Sequence, residues 1–225
     1  MPDRSNKPQP WLEPDSVRPP IAETRPEVRT FSGVEIADPY AWLENPADPE
    51  VIDYLKAENA YRDAVMAPTA ALQDALYAEM LGRIQQTDRS VPVKIGPWRY
   101  AVRTEEGRQY PILVREPAEG GPEATLLDLN NMVRTDYVSL VDWAPSPDHR
   151  HLAYLLNETG GLERTLYVKN LVTGETLPDA IPDVGGDVVW ANDSRTLFYL
   201  KQDTARRSHQ LARHRLGDDP AADAV

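Results

Sequence analysis

The feature that most constrains this chain is a repeat. Trp143-Ala144-Pro145-Ser146-Pro147-Asp148-His149-Arg150-His151-Leu152-Ala153-Tyr154-Leu155 returns as Trp190-Ala191-Asn192-Asp193-Ser194-Arg195-Thr196-Leu197-Phe198-Tyr199-Leu200. The tryptophans stand 47 residues apart, whereas Asp148/Asp193, Leu152/Leu197 and Tyr154/Tyr199 are each 45 apart, so a two-residue deletion in the turn separates the copies. A period in the mid-forties with four short strands per unit is the signature of a β-propeller. Each copy places an aspartate where its carboxylate can accept from nearby backbone amides and turn the chain between strands. Asp148 and Asp193 are therefore read as turn formers rather than ligands for a basic substrate. Trp143 and Trp190 are read as blade-packing residues rather than substrate platforms.

Other segments carry the same two-residue period from about Pro92 onward. Trp98-Arg99-Tyr100-Ala101-Val102-Arg103 and Tyr110-Pro111-Ile112-Leu113-Val114-Arg115 flank a turn at Glu106-Gly107, and Thr125 to Leu129 form a further strand. Leu152 to Leu156 and Thr165 to Val168 form a hairpin across Thr159-Gly160-Gly161, after which Asn170 to Glu175 turn the chain again. Residues 92–225 supply 134 positions, or about three blades at roughly 45 residues each. Propellers close with about four to eight blades. The expected fold is therefore mainly β with N-terminal helices: an incomplete β-propeller of about three blades, preceded by an extended arm and two amphipathic helices. On this reading the chain is a fragment.

Three regions follow. Residues 1–30 hold seven prolines and few apolar residues, a composition that cannot bury a core and predicts a flexible or surface-wrapping arm. Residues 31–90 form an N-terminal segment with two helices, and 91–225 the first blades of a truncated propeller. Asp48-Pro49-Glu50 combines a cap residue, a first-turn proline and an early acid, and so announces a helix running to Met66. Pro68-Thr69 is expected to break it. A second helix then runs from about Ala70 to Ile84, with Leu72, Ala75, Leu76, Met80 and Ile84 on one stripe. The two helices either pair with each other or meet a larger partner surface.

Composition narrows the function classes. The formal charge is -12, from 36 acidic and 24 basic residues, which opposes binding to phosphate backbones. The densest basic stretch, Arg206-Arg207 with His209, Arg213, His214 and Arg215, lies beside Asp218-Asp219 and reads as a solvated strand edge. No nucleic-acid partner is expected, and an acidic surface leaves cationic peptides open. The absence of cysteine removes disulfides, thiolate metal sites and cysteine nucleophiles. No apolar run approaches the roughly 18 residues of a membrane span, and no apolar stretch of a secretory leader follows Met1 to Lys7. A soluble, cytoplasmic protein with no membrane partner is expected.

Asp38-Pro39-Tyr40-Ala41-Trp42-Leu43-Glu44 opens a series of landmarks in the N-terminal half. Glu58-Asn59-Ala60-Tyr61, Asp88-Arg89-Ser90-Val91-Pro92, Trp98-x-Tyr100 and Glu105-Glu106-Gly107-x-Gln109-Tyr110-Pro111-Ile112 follow in order. The tryptophan-aspartate repeats and Arg213-His214-Arg215-Leu216-Gly217 complete it. From about Pro19 to Val225 this order resembles the prolyl oligopeptidase family of serine peptidases, and within it most resembles oligopeptidase B. That branch cleaves short peptides after lysine or arginine. The resemblance implies a seven-bladed propeller capping a C-terminal α/β-hydrolase domain and restricting entry to small, unfolded peptides. It also implies a serine in a nucleophile elbow, followed in sequence by an aspartate and a histidine. The N-terminal arm and helices would pack on that hydrolase domain, with Tyr40, Trp42 and Leu43 at the contact; the alternative for these three is an ordinary local core.

No catalytic residue carries over. None of the eight serines (Ser5, Ser16, Ser32, Ser90, Ser139, Ser146, Ser194 and Ser208) sits in a Gly-x-Ser-x-Gly setting. His149-x-His151 lacks a third ligand for a metal, and Ser146 with His149 falls in a propeller turn rather than a catalytic dyad. No metal and no cofactor is expected. Two other readings stay open: a propeller-type binding module without chemistry, and one subunit of a split peptidase.

Overall fold

The computed structural model describes residues 17–132 and 137–225, so the first half of the Pro-rich arm lies outside the described residues. The chain divides into two compact units, Met1–Ile84 and Gln85–Val225.

In the first unit, β1 (Val28–Phe31) and β2 (Val34–Ala37) form an antiparallel hairpin. Its two-residue turn places Ser32 at φ +50 and Gly33 at φ +83, the left-handed pair that matches strand twist. Ordered structure thus starts ahead of Phe31. After a 3-10 turn over Ala41–Glu44 comes α1 (Pro49–Met66), whose first turn is capped by Asp48 accepting from the Glu50 amide. Pro68 does not break the helix. A 3-10 turn over Ala67–Thr69 leads directly into α2 (Ala70–Gly82), which ends short of Ile84. Pro68 lacks the amide that would bond one turn back, and the tighter turn accommodates it while the Thr69 hydroxyl donates to the Met66 carbonyl at 2.7 Å. Helical backbone therefore continues from Pro49 to Gly82 instead of folding back into a pair. The α2 stripe remains open, with Leu72 and Met80 each 59% exposed.

The second unit is three antiparallel sheets. The first joins β3 (Asp88–Arg89) and β4 (Val93–Ile95), both paired to β5 (Trp98–Thr104), with β6 (Ile112–Pro117) and β7 (Ala124–Asp128). The second runs β8 (Ser139–Pro145), β9 (His151–Asn157), β10 (Thr165–Asn170), β11 (Thr176–Ile181) in neighbour order. The third holds β12 (Val184–Trp190), β13 (Thr196–Gln202) and β14 (Ser208–Arg215), and a single further bridge joins Arg213 to Ala224. The repeated segments are the β8–β9 and β12–β13 hairpins. Among the described residues no sheet closes on itself, so this is an incomplete propeller.

Strand β9 explains the stacking. Its residues are buried on both faces: Leu152, Tyr154 and Leu156 join the first sheet's Tyr100, Leu113 and Leu127, while Ala153 and Leu155 join Val188, Trp190 and Leu197 of the third. A strand with apolar residues in both phases needs a sheet on each side. The second copy of the repeat supplies the third sheet on one side, and β5–β7 supply the other.

Candidate functional site

In the first unit, the Asp38 carboxylate accepts from the Tyr40 amide and starts the turn that carries the aromatic motif. Trp42 donates its indole N–H to the Glu23 carbonyl at 2.9 Å, meets Tyr54 edge-on with centroids 6.2 Å apart, and lies under the Arg25 guanidinium at 4.3 Å. Arg25 is itself ion-paired with Glu23 and Glu50. Trp42 is thus fixed locally, Leu43 is half-buried, and Tyr40 is left 46% exposed.

In the second unit the singled-out residues cluster at the two seams between sheets. Trp143 packs against Tyr100 with ring centroids 5.3 Å apart, at the first seam. Trp190 lies in the second, tilted on His151 and donating its indole N–H to the Ala144 carbonyl at 2.9 Å. Two further bonds cross the second seam at the same sequence offset: the Val188 amide to Asp142, and the Asp148 amide to Ser194 Oγ. Lys169 reaches the Leu126 carbonyl across the first seam at 2.8 Å, and burial lowers its pKa.

The turn aspartates have matching partners. Asp148 accepts from the Arg150 amide and the Ser146 hydroxyl; burial opposes its ionisation, yet these bonds leave its pKa below the ordinary carboxylate value. Asp193 accepts from the amides of Arg195 and Thr196 and from the Thr196 hydroxyl, and its pKa is lowered in the same sense. Ser146 is fully buried and serves Asp148 and the His151 backbone, so it is no nucleophile. His149 and His151 turn to opposite seams, one against Tyr100 and the other against Trp190. Among the described residues no group of three or more His, Asp or Glu side chains is placed to hold a metal ion.

One cluster escaped the sequence reading. His214 on β14 is fully buried, with Nε2 3.0 Å from Asp179 of β11 and Nδ1 2.8 Å from Asp223. Asp179 also accepts from the Gly217 amide, and Asp223 from the Tyr199 hydroxyl. Both nitrogens lie within hydrogen-bonding distance of carboxylate oxygens, and the cluster ties the second sheet to the third and to the segment after β14. The visible signal is a histidine at the apolar phase of a strand, beside buried Ala212. Its partners, 35 residues before and 9 after, had no signal of their own.

The family model for "Prolyl oligopeptidase, N-terminal beta-propeller domain" matches residues 19–225. The chain belongs to the prolyl oligopeptidase family. It is 37% identical to dipeptidyl aminopeptidase BI of Pseudoxanthomonas mexicana, over 93% of this chain and 32% of that protein. It is 36% identical to protease 2 of Moraxella lacunata, over 92% of this chain and 31% of the relative. Among solved structures, oligopeptidase B from Leishmania major superposes with a TM-score of 0.87 at 27% identity, covering 93% of this chain and 32% of that one. The chain therefore spans less than a third of the length of each of these relatives and corresponds to the propeller region of a family of serine peptidases. No helix among the described residues is long and apolar enough to cross a membrane.

Proposed function

We propose that this chain is the propeller-side portion of a serine oligopeptidase that hydrolyses short peptides after lysine or arginine, in the manner of oligopeptidase B. The observation that carries the reading is the 0.87 TM-score with oligopeptidase B of Leishmania major, supported by 36% identity to protease 2. The catalytic serine, aspartate and histidine would come from an α/β-hydrolase part beyond these residues, and the propeller would restrict entry to small peptides. Tyr40, Trp42 and Leu43 would contact that part, while Trp143 and Trp190 would pack adjacent blades. The chain by itself is assigned no chemistry.

The test is an assay of residues 1–225 and of the protein read through from the downstream coding frame. Both would be offered an arginyl chromogenic peptide and an N-terminal dipeptidyl substrate. The longer protein is expected to cleave the arginyl peptide with sensitivity to a serine-directed inhibitor, and 1–225 to cleave neither. The 37% identity to a dipeptidyl aminopeptidase gives the second substrate its purpose: preference for it would replace endopeptidase by exopeptidase action. Inhibitor-sensitive cleavage by 1–225 alone would overturn the division of labour. A stop codon after Val225 with no hydrolase subunit co-purifying would favour a binding module instead.

A further inference from the structure

A cleft of about 440 Å³ opens between the second and third sheets. Ile181 and Pro182 at the end of β11, Tyr199 on β13 and Pro220 on the 3-10 turn after β14 give it apolar walls. Lys201 and Gln202 bring polar groups to it. Consecutive strand residues ordinarily face opposite sides of a sheet. Here the pairing of β13 with β14 shifts register between Lys201 and Gln202. Such an irregularity re-aims side chains, and both residues line the one cleft.

Neither polar group is satisfied within the chain. Gln202 Oε1 is buried without a hydrogen-bond partner, and half-buried Lys201 has no acidic partner among the described residues. A buried acceptor without a donor is uncommon in a folded chain, and it marks a place for one. Gly185 lets Gln202 lie close against β12. A Cβ there would come within 3.0 Å of Gln202 Cγ and collide with Ser208 Oγ, whose hydroxyl donates to the Gly185 carbonyl. Asp183 at the rim would repel an anion, but Arg206 pairs with it at 2.5 Å and with Glu163 at 2.8 Å. Asp183 at φ +55 and Arg206 at φ +62 are both left-handed, a strain that clusters at functional positions when non-glycine residues carry it.

We propose that this cleft binds the C-terminal end of a short peptide whose last residue is small and aliphatic. Each part of that ligand has a counterpart. The carboxylate meets the Lys201 ammonium, the last amide N–H meets Gln202 Oε1, and the side chain packs against Ile181 and the two prolines. Small-ligand clefts span about 300–1,000 Å³, are mostly apolar and carry a few convergent polar groups; this one lies toward the small end. A single ammonium suits one carboxylate rather than a chain of phosphates. The site lies wholly in the second unit and needs no hydrolytic step, so its failure would leave the activity proposed above untouched.

Titration of the intact protein with N-acetyl-alanyl-valine, followed by ligand-observed NMR, tests the site. Prior treatment with a serine-directed inhibitor keeps a catalytic centre from taking part. Saturable binding with a Kd of about 1 mM is expected. The C-terminal amide of the same peptide should bind about tenfold more weakly, because it forms no charge-assisted bond; this comparison needs no variant. Lys201→Met should weaken the acid about tenfold and erase its advantage over the amide. Gln202→Leu should weaken both peptides and keep the advantage. Equal binding of acid and amide by the parent, an advantage that survives in Lys201→Met, or no saturation by about 20 mM would overturn the proposal. Tighter binding of inorganic phosphate than of the peptide would also overturn it and make the cleft an oxyanion site.

Discussion

At the scale of single residues, Trp190 and the two aspartates of the repeat do their work through backbone partners, while Trp143 packs its ring on Tyr100. Trp190 fills the second seam with its ring and satisfies a neighbouring strand's carbonyl with its indole N–H. Asp193 closes its turn on two amides. Tyr199 sits one step further in, buried against the His214 cluster, and gives a residue-level prediction. Burial, then the bond to Asp223, raise its pKa well above the ordinary tyrosine value. A raised phenol pKa contributes stability that is whole below the unfolded value near 10 and is lost as pH climbs beyond it. Tyr199→Phe should cost about 1.5–3 kcal/mol at neutral pH, the worth of a hydrogen bond to a charged group. The gap between variant and parent should narrow as pH rises above 10, because only the parent carries this alkaline loss. Denaturant unfolding of both proteins at neutral and alkaline pH checks it; a gap that stays constant would remove Tyr199 from the alkaline response.

At the scale of elements, most of the second unit could be read from its pattern, and the first unit only in part. The β8–β9 and β12–β13 hairpins follow from a repeat in which the turn aspartate and the tyrosine keep the same place, while the tryptophans, offset by two residues, sit opposite Tyr154 and Leu197 respectively. The start of α1 follows from Asp48, whose carboxylate accepts from the Glu50 amide at 2.9 Å. Asp48→Ala should therefore weaken the first turn by about 1 kcal/mol, seen as faster hydrogen exchange at Ile52, Asp53 and Tyr54 with the C-terminal turns of α1 unchanged. The β1–β2 hairpin was missed because its alternation is only four residues long per strand and mostly exposed, leaving Ser32-Gly33 as the sole strong signal. The helix did not stop at Pro68 because proline is tolerated where a tighter turn needs no amide from it. The His214 cluster was illegible for a different reason: its members come from two sheets and a later turn, and no local pattern joins them.

At the scale of the whole molecule, the apolar surface that α2 leaves open is what distinguishes the proposed peptidase from a self-sufficient binding module. Leu72, Leu76, Tyr77, Met80 and Ile84 are each at least 47% exposed, and a contiguous stripe of this kind on a helix marks an interface rather than a solvated face. Under the proposed function its occupant is the hydrolase part, joined to the stripe chiefly by apolar burial. Residues 1–225 should then bind a hydrophobic dye strongly, and Leu76→Lys with Met80→Lys should reduce that binding while leaving the melting of the three sheets unchanged. Supplied as a separate chain, the hydrolase part should suppress dye binding by the parent, and at equal concentration should associate less with the double variant. Each buried leucine or methionine lost from an interface removes about 1.5–3 kcal/mol of apolar transfer energy, so two such changes should weaken association by a hundredfold or more on the scale of about 1.4 kcal/mol per tenfold. Equal association of parent and variant would place the hydrolase contact elsewhere. Low dye binding by the isolated chain would mean that the stripe is already covered, as a second copy of this chain could cover it, and would favour the binding module over the peptidase.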